Sequence, residues 1–341
     1  MCNNGLRANK AIIMKSNILC AVVLAAVSLT AACTGKDWAY TPKGEIEKVY
    51  YSSEVVDEIY NAETDRWETV NTSSTPKVLT ETWNWDDNLL RSIVFNGESN
   101  TSGQDRTAYF SYSQKRISLI ETEDQRIVFT YSGRNLSKAE MFDKRHDTDR
   151  AFLSYYFKYE DKKLSRIEVM SPGATKSQLA TPLQQRWMAY MHEAMGVPAM
   201  AMDKVCRKAA DTKEEIVEIM KLMWSGGNVS SVTIESDYGS QKVDYTYDTK
   251  NNPYSHFLYT LGSIYAGEGI EFANQNNITK VVTTYMSDEM EEEAEEQTEV
   301  IYHYTYQNDW PVVKQRVQVY GDEQEGSRVT ERSFNYYEYD D

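Results

Sequence analysis

The sequence predicts a mainly β protein: an antiparallel meander of repeated β-hairpins that forms a curved or partly closed sheet, with an inserted helical segment packed on one face. A repeated aromatic pattern predicts the hairpins, and turn-forming residues follow the aromatic pairs at fixed places. Over residues 177–224 the apolar period changes from two residues to 3.6, which predicts the helical insert. The hairpin domain is expected to cover residues 45–341.

The repeat begins with two aromatic residues that have one residue between them. Four mostly polar residues follow, and then an aliphatic residue. A small or branched apolar residue comes three places after the aliphatic residue. Aromatic residues two apart point to the same face of a strand, and the aliphatic residue opens the returning strand. Each copy is therefore predicted to be a β-hairpin with one buried face and one wet face. Four copies share the spacing: Trp83, Trp85, Leu90 and Ile93; Phe110, Tyr112, Ile117 and Ile120; Phe129, Tyr131, Leu136 and Ala139; Phe157, Tyr159, Leu164 and Ile167.

Later segments are related to this unit. Tyr245-x-Tyr247 and Tyr304-x-Tyr306 are each followed by a polar stretch and a proline, and Tyr337-x-Tyr339 supplies the first half of a further copy. The turns fit the same interpretation, because Asp, Asn and Gly tolerate the left-handed backbone of tight hairpin turns. Asp86-Asp87-Asn88 and Ser132-Gly133-Arg134-Asn135 are examples.

Three helices are expected in the insert. The first follows the cap Thr181-Pro182, and the third begins with Thr212 and Glu215 as a capping box. Each has one apolar stripe, which must be buried against the aromatic face of the sheet. The stripes are Leu183, Trp187, Met191 and Ala194 in the first helix, Met202, Val205, Cys206 and Ala209 in the second, and Ile216, Ile219, Met220, Met223 and Trp224 in the third.

Residues 1–32 resemble a bacterial signal peptide. The uncharged run from Ile18 to Ala32 follows Lys15 and is shorter than the ~20 apolar residues that a spanning helix needs. Leu29-Thr30-Ala31-Ala32-Cys33 resembles a lipobox, which implies cleavage before Cys33 and lipidation of that cysteine. The alternatives are an ordinary secretory signal with an incidental cysteine and, for the start of the chain, Met14.

This signal implies that the protein is located in the cell envelope, where it is lipid-anchored to the outer membrane. Residues 33–44 are expected to form a polar tether. Whether it faces the surface or the periplasm stays open. The net charge of -16 repels phosphate backbones, so nucleic acid is not an expected partner. Once the leader is removed and Cys33 is lipidated, Cys206 is the remaining cysteine, so neither an intramolecular disulfide nor a cysteine-based metal site is expected.

The Tyr-x-Tyr-Asp stretch from Tyr245 to Pro253 resembles the YD repeats of Rhs-type proteins. The lipobox together with tandem aromatic hairpins is similar to uncharacterised lipoproteins of Bacteroidetes-type bacteria, some of which are described as having a porin-like sheet. The resemblance covers most of residues 80–341 and implies an architecture, with no catalytic residues to transfer. A barrel that spans the outer membrane is a less favoured alternative, because the aromatic face is rich in Tyr rather than Leu and Val.

Two clusters could hold a metal ion. Seven methionines and His192 in the insert could ligate Cu(I) or haem, but Met as a filler between helices and sheet is the favoured interpretation. The acidic stretch Asp288 to Glu296 could hold Ca²⁺, but it lacks the turn that makes carboxylates converge, so a solvated hairpin tip is favoured. No cofactor and no metal are therefore expected.

Exposed tryptophans suggest a binding surface, since indole rings stack on sugars. Trp38, Trp67 and Trp310 are the candidate ligand-binding residues, whereas Trp83 and Trp85 occupy inward positions of the repeat. The expected function is a non-enzymatic binding or scaffold module that presents a β-sheet surface to a glycan or a protein. The alternative is a glycan-binding or glycan-processing hydrolase with carboxylates in a cleft between sheet and helices; no catalytic motif points to particular residues.

Overall fold

The computed structural model describes residues 38–40, 42, 44–97, 103–146, 150–172, 214–236, 239–258, 270–286, 296–321 and 326–340. Within them sixteen antiparallel strands form a closed barrel, in which sequence neighbours pair and β1 pairs with β16. The strands are β1 (Ile46–Asn61), β2 (Arg66–Asp86), β3 (Leu89–Phe95), β4 (Arg106–Ser113), β5 (Arg116–Glu121), β6 (Gln125–Ser132), β7 (Asn135–Asp143), β8 (Leu153–Glu160), β9 (Lys163–Pro172), β10 (Glu214–Ser225), β11 (Asn228–Ser236), β12 (Gly239–Asn251), β13 (Asn276–Met286), β14 (Glu296–Gln307), β15 (Trp310–Tyr320) and β16 (Ser327–Tyr339).

The predicted fold class was wrong in two respects. The sheet is fully closed rather than partly closed, and the described residues contain only two short 3-10 helices, Lys144–His146 and Ile270–Ala273, and no α-helix. The third predicted helix is instead strand β10, paired with β9 and β11. The first two predicted helices lie outside the described residues, as do His192, five of the seven methionines of the predicted cluster, and residues 287–295 of the acidic stretch. The other two methionines, Met220 and Met223, lie on opposite faces of β10.

The residues of β10 continue the hairpin repeat. Leu222 and Trp224 take the places of the two aromatic residues, and Val229 and Val232 follow at the same spacing as the aliphatic pair of the other copies. Met220 and Leu222 are buried, whereas Lys221 and Met223 between them are exposed, which is the alternation of a strand. An apolar pattern at 216, 219, 220, 223 and 224 satisfies a helical period as well, and pairing with both neighbours decides between the two.

A β-bulge recurs in every copy of the repeat, next to the second aromatic position. In the hairpin of β4 and β5, Tyr112 pairs with Ile117 and Ser111 with Leu119, which leaves Ser118 without an opposite residue in the ladder. The extra residue explains how two apolar residues three apart, such as Leu90 and Ile93, both point into the barrel. Bulges also bend and twist strands, which helps a sheet to close. The equivalent register shifts lie in all eight copies of the repeat, including the one that β16 forms with β1.

The eighth copy of the repeat is divided between the two ends of the sheet. Tyr337 and Tyr339 of β16 pair with Val49 and Ile46 of β1, in the register that Trp83 and Trp85 have with Ile93 and Leu90. The barrel therefore closes by completing a repeat.

Hydrogen bonds from aromatic side chains tie each even-numbered strand to the odd-numbered strand before it. Tyr131 Oη donates to the carbonyl oxygen of Ile117 at 2.7 Å, and seven similar bonds complete a ring around the barrel. The donor is the second aromatic position of the repeat, except in the seventh repeat, where the first position, Tyr304, donates. The remaining donor and acceptor pairs are Trp85 and Ile46, Tyr112 and Leu90, Tyr159 and Leu136, Trp224 and Leu164, Tyr247 and Val229, Tyr304 and Ile278, and Tyr339 and Pro311.

The lumen of the barrel holds the apolar core, and the outer face carries charge. Trp83, Phe110, Phe129 and Phe157 of the repeat are all buried inside. Opposite charges pair on the outer face, where side chains alternate with these inward positions. The outward pairs include Lys48 and Glu338, Lys138 and Glu140, Arg166 and Glu168, Lys221 and Glu235, Lys242 and Asp244, and Lys280 and Glu299.

The two ends of the barrel differ. One, here named the hairpin end, is formed by the two-residue turns of the repeats and is filled by residues 38–40 and by the described parts of the connection between β12 and β13, residues 252–258 and 270–275. Tyr40 is fully buried there, with its ring centroid 4.9 Å from that of Phe257. At the opposite end, named the far end, the hairpin of β1 and β2 is the longest in the barrel, with strands of 16 and 21 residues.

Candidate functional site

Two features of the described residues are candidates for function: charged groups inside the lumen and the long hairpin of β1 and β2 at the far end. Each carries polar side chains that packing of the core does not require. No helix of the described chain is long and apolar enough to cross a membrane. The described residues also hold no group of three or more His, Cys, Asp or Glu side chains placed to bind a metal ion.

The lumen is polar next to β14, β15, β16 and β2. Lys314 replaces the second aliphatic residue of the seventh repeat, and its Nζ lies 3.7 Å from Oε1 of Glu271 and 4.7 Å from the ring centroid of Tyr302. Glu81 accepts a 2.7 Å hydrogen bond from Nε1 of Trp83, and burial raises the pKa of its carboxyl. This side of the lumen is therefore lined by charges that are held by the barrel wall and by the connection between β12 and β13.

A second buried carboxyl lies elsewhere in the lumen. Burial raises the pKa of Glu218 to about 8, so this side chain is largely protonated at neutral pH. Tyr155 and Glu218 flank Val169 in the register of the sheet, and within the described residues neither Tyr155 Oη nor Glu218 Oε1 has a hydrogen-bond partner. Glu81 lies on β2 and Glu218 on β10, eight strands apart in the ring, so the strand order does not bring the two carboxyls next to each other.

The hairpin of β1 and β2 is the most exposed sheet surface of the described chain. Strand β2 pairs with β3 only from Glu81 to Asp86, so the stretch from Arg66 to Leu79 has no described strand on its second side. Nearly all side chains from 66 to 77 are exposed. Unpaired edges invite a further strand, and Pro76 together with three register shifts against β1 restrains such pairing.

A groove of about 320 Å³ lies near the turn of this hairpin, between β1, β2, β15 and β16. Its apolar wall includes Ile59 and Val70, which are 53% and 61% exposed, so two apolar side chains of adjacent strands are exposed together at this site. Asp57 lines the groove and accepts a 3.1 Å hydrogen bond from Nδ2 of Asn71. This volume and the mixture of apolar and polar groups suit a small ligand or one side chain of a larger one.

The neighbouring charges of the groove are held in place. Nε of Arg328 donates a 2.8 Å hydrogen bond to Oε2 of Glu58, and this bond lowers the pKa of the Glu58 carboxyl. The same guanidinium lies 4.3 Å from the ring centroid of Trp67. On one side of the groove, the charges of Arg328 and Glu58 therefore neutralise each other. The carboxylate of Asp57, in contrast, makes no ion pair with a described residue.

The three tryptophans predicted to bind a ligand occupy three different environments. Trp38 is 7% exposed and packs against His256 and Phe272 inside the hairpin end. Trp310 is half-buried against Tyr339 at the same end, and Trp67 lies on β2 at the far end. The structure does not bring them together, and a role for each in binding stays a prediction.

Sequence reasoning missed Ile59, Val70 and Asp57. A signal was present, because residues 66–77 are extended and rich in Thr, Ser and Asn but lack the alternating apolar positions of a strand with one buried face. A polar strand without such alternation is expected to expose both of its faces to solvent.

No family model matches the chain, and no curated protein matches its sequence. Among solved structures, the chain is similar to a porin-like protein from Bacteroides uniformis, with 12% sequence identity, a TM-score of 0.44 and coverage of 85% of this chain and 97% of that chain. It is also similar to a porin-like protein from Bacteroides vulgatus, with 9% identity, a TM-score of 0.31 and coverage of 87% and 99%. Both carry the porin-like description that the resemblance in sequence implied.

Proposed function

We propose that this protein is a lipid-anchored component of the bacterial cell envelope, attached to the outer membrane through Cys33, and that it acts as a non-enzymatic binding module. The binding surface is the hairpin of β1 and β2 with the groove near its turn. The exposed apolar wall of that groove, formed by Ile59 and Val70, is the observation that carries the proposal. Its ligand is a glycan or a peptide segment of a protein partner.

The distribution of charge supports an anchor rather than a membrane-spanning barrel. Barrels that span the outer membrane place an apolar band outside and polar residues in the lumen. The described chain mostly has the reverse arrangement, with Lys221 and Glu235 among several outward ion pairs and Phe110 among the apolar residues of the lumen. A charged side chain facing lipid at mid-depth costs about 2–4 kcal/mol. A lipid on Cys33 would hold such a barrel at the membrane while its walls stay in water.

Fatty-acid labelling in growing cells tests the anchor. The wild-type chain should incorporate labelled palmitate and fractionate with membranes, and Cys33→Ala should do neither. Equal labelling of both would contradict the proposal.

A glycan and peptide array tests the binding surface, with a screen for released sugars run on the same glycans. The wild-type chain should retain a ligand that the double variant Ile59→Asp, Val70→Asp loses, because the substitutions place charge on the apolar wall. Tyr109→Ser, at an exposed site on β4, is the matched control and should bind as wild type does. Unchanged binding by the groove variant would contradict this surface, and released sugars would instead support the hydrolase alternative.

A further inference from the structure

Three neighbouring hairpins place a basic patch on the hairpin end. The patch consists of Lys115 and Arg116 where β4 turns into β5, Arg134 in the turn between β6 and β7, and Lys162 and Lys163 where β8 turns into β9. Lys115, Arg134 and Lys162 are exposed, and Arg116 and Lys163 are half-buried. In a chain with a net charge of -16, such a concentration of cations on one face is unexpected.

These charges are not cancelled by ion pairs. None of the five side chains makes an ion pair with another residue of the described chain, and the acids of the same turns, residues 160–161, are fewer than the cations. Nη1 of Arg116 donates to the carbonyl oxygen of Gly133 at 2.6 Å, and Nζ of Lys163 donates to that of Gly226 at 3.2 Å. The bonds run from one turn to the next, so they hold Arg116 and Lys163 in place and leave their positive charge intact.

The N-terminal segment enters the barrel at this patch. Ala39 forms an antiparallel bridge with Arg116, while Trp38 and Tyr40 on either side of it are buried. Cys33 precedes Trp38 by five residues, and five extended residues span at most ~18 Å. A lipid on Cys33 would therefore keep the hairpin end close to the bilayer surface.

We propose that the hairpin end of the barrel docks on an anionic phospholipid surface through this basic patch. The orientation of the barrel relative to the membrane rests on the proposed lipid attachment at Cys33. The attraction of the patch to anionic lipid does not depend on that attachment. The acidic surplus elsewhere does not prevent contact, because charges beyond the Debye length of about 8 Å at physiological salt are screened. Docking in this way points the far end, with the groove, away from the membrane.

Vesicle sedimentation of the mature chain from residue 33, carrying Cys33→Ser, tests the attraction without the anchor. The probes are vesicles that mix phosphatidylethanolamine with phosphatidylglycerol, and vesicles of phosphatidylcholine alone. Each cation at an anionic surface contributes roughly fivefold in affinity, the equivalent of about 1 kcal/mol. The triple variant Lys115→Gln, Arg134→Gln, Lys162→Gln should therefore bind the anionic vesicles about 100-fold more weakly than its parent.

A matched control removes three cations from the outer wall: Lys158→Gln, Lys221→Gln, Lys242→Gln. It has the same net charge as the patch variant and should bind nearly as well as the parent, and circular dichroism should show both variants folded. Binding by the parent should vanish at high salt and be absent with phosphatidylcholine. Equal binding to both vesicle types, no binding at low salt, or equal losses in the two triple variants would each overturn the proposal. Because this readout does not involve lipidation, it can fail while palmitate labelling of Cys33 succeeds, and the reverse.

Discussion

Nε1 of Trp85 donates a 2.7 Å hydrogen bond to the carbonyl oxygen of Ile46, which joins the first complete repeat of the chain to the repeat that contains its last strand. The bond occupies the place that Tyr112 and Leu90 occupy between the first two hairpins. Since the same contact recurs around the barrel, each repeat is held by an aromatic donor as well as by the strand ladder. Closure therefore uses the same aromatic hydrogen bond that joins the other repeats.

Removing one donor from this ring should destabilise the barrel. Tyr131→Phe keeps the ring packing but leaves the Ile117 carbonyl without its 2.7 Å bond, and we expect the free energy of unfolding to fall by about 1 kcal/mol in urea titration. Tyr109→Phe, at a side chain that is 60% exposed, is the control and should be neutral. Equal effects of the two changes would mean that the ring of bonds contributes nothing.

The N-terminal segment should be part of the folded barrel. Tyr40 is fully buried, and its hydroxyl donates to the carbonyl oxygen of Pro253 at 3.2 Å. Tyr40→Ala should therefore lower the free energy of unfolding by about 3–5 kcal/mol, as loss of a buried aromatic ring does elsewhere. Tyr109→Ala makes the same truncation at an exposed position of β4 and should cost far less. A chemical denaturation curve of Tyr40→Ala that overlays the wild-type curve would show that residues 38–40 do not stabilise the barrel.

Glu218 should make stability depend on pH. Its pKa rises from the ordinary 4.5 to about 8 on folding because burial disfavours the charged form. Between these values the unfolded chain has released this proton and the folded chain still holds it, so this group's contribution to stability falls as pH increases from about 4.5 to 8. Glu218→Gln should flatten that slope and raise the midpoint of thermal unfolding at pH 8.

The matched control for this pH profile is Glu235→Gln on the adjacent strand, where the carboxylate faces outward and pairs with Lys221 at 2.5 Å. It should leave the slope between pH 5 and 8 as in the wild type. If Glu218→Gln and Glu235→Gln gave the same profile, titration of Glu218 would not be the cause.

The ion pair in the lumen should matter more than the pairs outside. Lys314→Met leaves Glu271 without its partner in a largely enclosed site, where the side chains are 17% and 20% exposed, and should cost about 2 kcal/mol of unfolding free energy. Adding Glu271→Gln should restore most of the loss, since it removes the unpaired charge. Lys242→Met, which breaks the exposed pair with Asp244, should cost less than about 1 kcal/mol. A double variant no more stable than Lys314→Met would contradict this account.

Local pattern was enough to predict most hairpins. The spacing of Phe129, Tyr131 and Leu136 predicts two inward side chains, a tight turn and a returning strand. Each of these features depends only on residues close together in the sequence. The same reasoning was wrong for β10, because Ile216, Met220 and Trp224 satisfy the helical period as well as the strand period. Pairing with β9 and β11 settles that ambiguity, and no property of the segment alone does so.

The candidate groove could not be predicted in the same way. Ile59 and Val70 come together with Tyr320 and Val329 only because β1 pairs with β2 on one side and with β16 on the other. The strands that form the groove come from both ends of the sheet, so only the closed barrel brings these side chains together.

The repeat, its inward positions and its turn residues are local properties, so the amino-acid sequence alone determines that this chain forms antiparallel hairpins. Whether those hairpins end as an open sheet or a closed barrel depends on the twist that eight bulges add together and on Tyr339 of the last strand pairing with Ile46 of the first. Both the combined twist and this pairing involve the whole length of the chain. Tertiary structure therefore decided the closure of the barrel, the apolar lumen and the exposure of the β1 and β2 hairpin.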